Sequence, residues 1–178
     1  MKKWGMASVV LLCTLMLTGC KDVEKKNETR IDATEQTSEE EDELETFVDG
    51  VVTTEDYTIE IESAEAIPTY DKKKQLVVIT YSFTNTSEEL LVPDQCFTGS
   101  LGVTQDLPDT VEDLMVGYIP YDSGYSDLQE KSRAKVKEGK TIKAVASYEL
   151  KEKSNTVVLT AYSTTNTLAI GEETVRIK

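Results

Sequence analysis

Apolar and polar positions alternate through much of the chain beyond residue 54. In Tyr57-Thr58-Ile59-Glu60-Ile61-Glu62 the odd positions are apolar and the even ones polar, the period of a half-buried strand. Gln75 to Asn85 (QLVVITYSFTN) is richer still. Val77, Ile79, Tyr81 and Phe83 would face one side, with Leu76, Val78, Thr80 and Ser82 on the other, so this strand is expected at the centre of a sheet. After the polar Lys137-Glu138-Gly139-Lys140, the run Thr141–Leu150 places Ile142, Ala144, Ala146, Tyr148 and Leu150 on one face. A polar turn, Lys151–Asn155, precedes Thr156–Tyr162, and a last strand pair is expected over Thr167–Ile177 with a break at Gly171. Pro93–Arg133, rich in Asp, Gly and Pro, reads as irregular, with no sustained helical period. About seven short strands separated by turns predict an all-β fold, an immunoglobulin-like antiparallel β-sandwich over residues 51–178. A domain of this size buries about two-thirds of its unfolded surface and needs no disulfide.

The first fifty residues follow other patterns. Met1–Gly5 (MKKWG) is positively charged and Met6–Leu17 is a 12-residue apolar run. A bilayer span needs about 20 such residues, so residues 1–19 read as a signal peptide. The run ends in Leu17-Thr18-Gly19-Cys20, which resembles the bacterial lipobox. That resemblance implies cleavage between Gly19 and Cys20 and a diacylglyceryl group on the Cys20 thiol. Two acyl chains make a stable anchor where one is marginal. Lys21–Gly50 then carries 12 acidic residues against Lys21, Lys25, Lys26 and Arg30, including the block Glu39-Glu40-Glu41-Asp42-Glu43. With so few apolar positions it cannot offset its ordering entropy, so residues 20–50 are expected to form a disordered tether. Such a coil spans about 30 Å, and a short helix over 39–48 would be marginal in isolation.

Charge and composition narrow the chemistry. Lys+Arg number 19 and Asp+Glu 33, a net charge of −14, and histidine is absent. A nucleic-acid backbone binder needs a basic face, and an anionic membrane surface would repel this chain, so no nucleic-acid partner is expected. Without histidine, the usual Ser-His-Asp and Cys-His nucleophile systems cannot be built. Cys13, Cys20 and Cys96 lack the spacing of a redox pair or zinc cage. No cofactor, metal or catalytic residue is expected.

The run Leu76–Glu89 (LVVITYSFTNTSEE), with Val136-Lys137-Glu138-Gly139 and Tyr148-Glu149-Leu150, resembles a family of small Gram-positive lipoprotein and secreted domains of unknown function. Its members carry "Y-x-F-T-N" and later "V-x-x-G" and "Y-x-L", on an immunoglobulin-like sandwich similar to a mycobacterial secreted antigen. The resemblance covers residues 56–162. Where members have a Phe-Gln-x-Gly-like turn, this chain has Phe97-Thr98-Gly99. It implies an exported, surface-anchored domain and supplies no catalytic residues.

Within the domain, Tyr118, Tyr121 and Tyr125 fall in one Gly/Pro loop. Tyrosine gives large contact area at low entropy cost, as a recognition loop requires, or it caps a core end. Asp106, Asp109, Glu112 and Asp113 could supply oxygen ligands to Ca²⁺ but match no spaced loop, and read as a solvated acidic loop. Cys96 reads as a small buried hydrophobe. Asn85-Thr86-Ser87 and Asn27-Glu28-Thr29 read as turn chemistry. The sequence thus points to a non-enzymatic binding module, anchored to the outer face of a cell membrane, whose protein or envelope ligand is unidentified. A carboxylate or Ca²⁺ hydrolase of the envelope and a ligand-free structural accessory are the alternatives.

Overall fold

The computed structural model describes residues 45–178. Gly19 and Cys20, the signal segment and the tether up to residue 44 lie outside the described residues. In chain order the elements are β1 (Thr46–Val48), β2 (Val51–Thr53), β3 (Tyr57–Pro68), β4 (Gln75–Asn85), α1 (Pro93–Ser100), β5 (Leu101–Asp106), β6 (Val111–Asp113), α2 (Ser126–Ser132), β7 (Thr141–Glu149), β8 (Thr156–Tyr162) and β9 (Ala169–Arg176). They form two antiparallel sheets, ordered β1-β2-β3-β4-β7 and β6-β5-β8-β9, the all-β sandwich that the alternation predicts.

The core lies between the sheets. The first sheet contributes Val52, Ile59, Val77, Ile79, Tyr81, Phe83, Ala144, Ala146 and Tyr148, and the second Leu101, Val103, Val157, Leu159 and Ala161. Phe97 packs against Tyr81 with ring centroids 4.7 Å apart and Tyr148 at 6.4 Å, both pairs tilted and within the separations over which aromatic rings attract. As expected, β4 is central and buried on both faces.

Three regions depart from the pattern reading. The first is the domain boundary: β1 falls in the stretch assigned to the tether, and Phe47 is buried in the core. The cause is the dipeptide Asp49-Gly50, whose positive φ angles of 52° and 76° make the tight turn that favours Asp-Gly in two-residue hairpins. The second is Pro93–Arg133, which holds two helices. Pro93 and Asp94 open α1, where a fixed φ and a negative charge suit a helix start. Asp127 and Lys131 sit at complementary ends of α2. Both are too short for a period to repeat, and Phe97 of the expected turn is helical. The third is Gly171, which lies within β9. The pairing shifts between Ala161↔Gly171 and Tyr162↔Ala169, a bulge that bends one strand.

Candidate functional site

Val78 of β4 and Val145 of β7 turn apolar surface away from the sandwich, and residues 115–132 cover it. Ile119 packs on both valines, flanked by Ile67, Tyr125 and Leu128. The free edge of β7 is fastened by the same segment. Glu149 N–H donates to the Met115 carbonyl (2.8 Å) and Gly117 N–H to that of Ser147 (2.9 Å). The Ser147 hydroxyl returns to the Gly117 carbonyl (2.6 Å). Ser132 Oγ accepts from Val145 N–H (2.9 Å) and lies 2.8 Å from the Val145 and Leu128 carbonyls. Such bonds satisfy an edge that would otherwise template pairing with another chain. Gly117 passes so close to Leu76 and Glu149 that a Cβ would overlap the Leu76 side chain.

This cover divides the three tyrosines. Tyr118 and Tyr121 are 87% and 92% exposed, beside exposed Met115 and Val116. Tyr125 is turned in, and its hydroxyl donates to the Glu65 carboxylate (2.7 Å). Burial, with the hydrogen bond and charge of Glu65, pushes its phenol up to about 12. Two tyrosines are therefore displayed, and the third holds their loop to β3.

The acidic residues lie around the β5–β6 hairpin, Asp106 opposite Val111, with Glu112 and Asp113 pairing Gln105 and Thr104. Among the described residues no group of three or more potential ligand side chains is placed to hold a metal. Cys96 on α1 packs against the core margin. Burial, and secondarily the Asp56 charge, pushes its thiol up to about 11, so it is protonated at neutral pH.

Asn85 is fully buried. Its Nδ2 donates to the carbonyls of Glu89 (2.6 Å) and Val136 (2.9 Å), and its Oδ1 accepts the Ser87 N–H (2.9 Å). Its main chain accepts from Gly139 N–H (2.8 Å) and donates to the Lys140 carbonyl (3.1 Å). Asn85 thus pins the entire Val136–Lys140 turn. Tyr81, Phe83, Val136, Tyr148 and Leu150 from the same motifs lie in the core, so what these motifs specify is packing.

The turn that Asn85 holds carries a basic cluster that the whole-chain charge concealed. Residues 131–143 (KSRAKVKEGKTIK) contain six cations and one acid. A groove of about 520 Å³ runs between the 131–137 segment and the start of β7, lined by Lys131, Lys135, Lys137, Lys140 and Lys143 over Val136 and Ile142. Only Lys143 of these forms an ion pair among the described residues, with Glu62. The basic spacing of this run was its sequence signal, averaged away in a total of −14.

Comparison with known proteins gives the fold its relatives. A solved structure from Staphylococcus aureus subsp. aureus NCTC 8325, named provisionally as a lipoprotein, is similar over 75% of this chain and 92% of that one, with a TM-score of 0.67 and 21% identity. An NMR structure of a protein from Enterococcus faecalis is similar over 76% and 94%, with a TM-score of 0.61 and 17% identity. At such identities the likeness is one of fold. No curated protein matches the chain. A family profile matches residues 32–163, and the chain belongs to that family, described as a domain of unknown function (DUF5067).

Proposed function

We propose that the protein is a membrane-anchored extracytoplasmic lipoprotein that presents a non-enzymatic recognition surface, the 115–121 loop, to a protein or polymer of the cell envelope. The observation that carries the recognition reading is Tyr118 and Tyr121, fully displayed on a backbone that is itself held down. Ile119 is buried between them, Gly117 is bonded to Ser147, and Tyr125 is bonded to Glu65. A loop ordered before binding loses little entropy on binding, and large rigid aromatics make good anchors. The anchor rests on Leu17-Thr18-Gly19-Cys20, and the name given to the S. aureus neighbour is in keeping with it. The sandwich is read as immunoglobulin-like, of the mycobacterial secreted-antigen type.

Photo-cross-linking on intact cells tests the surface. A photoreactive phenylalanine analogue replaces Tyr121 or Tyr118 and, as a control, Tyr70, which is 89% exposed on the β3–β4 turn. Adducts are expected at 118 and 121 and not at 70, whereas equal labelling or none overturns the reading. For the anchor, Cys20→Ala is expected to leave the detergent phase, and partitioning as complete as wild type would defeat it.

A further inference from the structure

Along β7, the odd-numbered residues turn their backbone groups away from β4. Glu149, Ser147 and Val145 use theirs to bind Met115, Gly117 and Ser132. The register with β4 continues without a shift through Lys143 and Thr141, so these two also point outward. Among the described residues their N–H and C=O groups have no partner. The fastening of the edge therefore stops two positions short of the strand's start. That open piece is one wall of the lysine groove.

We infer that this groove takes an extended acidic peptide segment as an added β-strand on the Thr141–Lys143 edge. The alternation of donor and acceptor along the edge decides the class of ligand. A phosphate chain could satisfy the N–H groups and the ammonium groups, but it would set negative oxygens against the two carbonyls. An amide backbone satisfies both, as in strand addition to sheet edges. The lysines then select side chains: Lys131, Lys135, Lys137 and Lys140, four point charges on flexible stems, pair with carboxylates at varied positions, while Lys143 is already paired with Glu62, and the aliphatic floor of Val136 and Ile142 accepts the methylenes. A single-stranded nucleic acid would want stacking rings, and no aromatic side chain lines the groove. Lysines on an edge also deter unwanted pairing. A neutral or basic strand would meet that barrier, and an acidic one would not. The site is separate from Tyr118 and Tyr121, so its success or failure is independent of theirs.

The test uses the full chain in detergent micelles and a blocked six-residue peptide of alternating Glu and Val. Binding is expected to slow amide hydrogen exchange at Thr141 and Lys143 and to weaken as salt shortens the screening length from about 10 Å at 0.1 M. Lys137→Glu with Lys140→Glu, both exposed, is expected to lower affinity about tenfold, since each reversal turns an attraction for the acidic strand into a repulsion. Lys151→Glu with Lys153→Glu makes the same change in net charge on the β7–β8 turn and is expected to change affinity less than about twofold. Sodium polyphosphate and the same peptide with alternate amides N-methylated are expected to leave exchange at 141 and 143 unaltered. Equal loss in the two charge variants would overturn the proposal, as would protection by polyphosphate or no protection by the peptide.

Discussion

The two faces of the first sheet are built on different terms. Its inner face is a continuous apolar surface from Phe47 through Ile59 and Phe83 to Tyr148, closed against a second sheet of matching residues. Its outer face changes character halfway. Over β1–β3 it is open and polar, and one transverse row aligns Thr46, Thr53, Thr58, Thr84 and Thr141 across all five strands. Over the Leu76–Val78 end of β4 and the facing part of β7 it carries an apolar patch, roofed by residues 115–132 around a small cluster of Val78, Ile119 and Val145, with Leu76 buried under Gly117. The inner contact is large and non-directional, whereas the roof is held by a small cluster and a few backbone and side-chain hydrogen bonds. Regions with few buried apolar contacts open locally before the whole domain does. The 115–121 loop lies in the roof, and the lysine groove adjoins its end.

Substitutions on the two faces should separate them. Phe83→Ala, which empties a fully buried inner position beside Tyr57, is expected to destabilise by about 3–5 kcal/mol in denaturant unfolding. On the outer side, Val78→Ala is expected to cost about 2 kcal/mol. It should also speed hydrogen exchange at Gly117 and Val145 beyond that global loss; equal acceleration throughout the core would show that the roof is not a separate unit. Gly117→Ala forces Leu76 to move and is expected to cost about 1–3 kcal/mol, with Tyr118 displaced. Ser132→Ala removes the hydroxyl that serves the Val145 edge, for about 1–2 kcal/mol.

The sandwich was legible in the sequence because period-two alternation reports a sheet with one buried face, and β5 and β8 follow it closely. Leu76 and Val78 on the other side of β4 marked it as an interior strand. What covers it was not legible. α2 offers a single apolar residue, Leu128, and its fixing contacts come from Ser132, Ser147 and Tyr125, which sequence alone cannot pair over such separations. β1 was hidden by acidic neighbours, although Asp49-Gly50 between Phe47-Val48 and Val51-Val52 carried a hairpin signal. Net charge misled in the same way, because a sum over 178 residues has no information about where six cations cluster. The three tyrosines were visible as a set, but which of them is a fastener depends on Glu65, sixty residues away.

The smallest expected effect lies where the bare and roofed halves of the outer face meet. Glu62 is bonded to Lys143 and accepts from the Ser82 hydroxyl (2.7 Å). These hydrogen bonds, Lys143 first, hold its carboxyl below the ordinary value of 4.5 against a smaller burial effect. A carboxyl whose folded value is depressed binds its proton more readily in the unfolded chain. Its contribution is thus complete above about pH 4.5 and disappears as pH falls through the lower folded value. The pair is partly exposed, so solvent screening limits the effect to under about 1 kcal/mol. Glu62→Gln is expected to flatten this acid limb of the stability curve and to leave stability near pH 7 lower by the same amount. The effect should shrink in salt. If the acid limbs of the Gln variant and wild type coincide, the Glu62–Lys143 pair adds nothing, and Lys143 is as available to a ligand as its four neighbours in the groove.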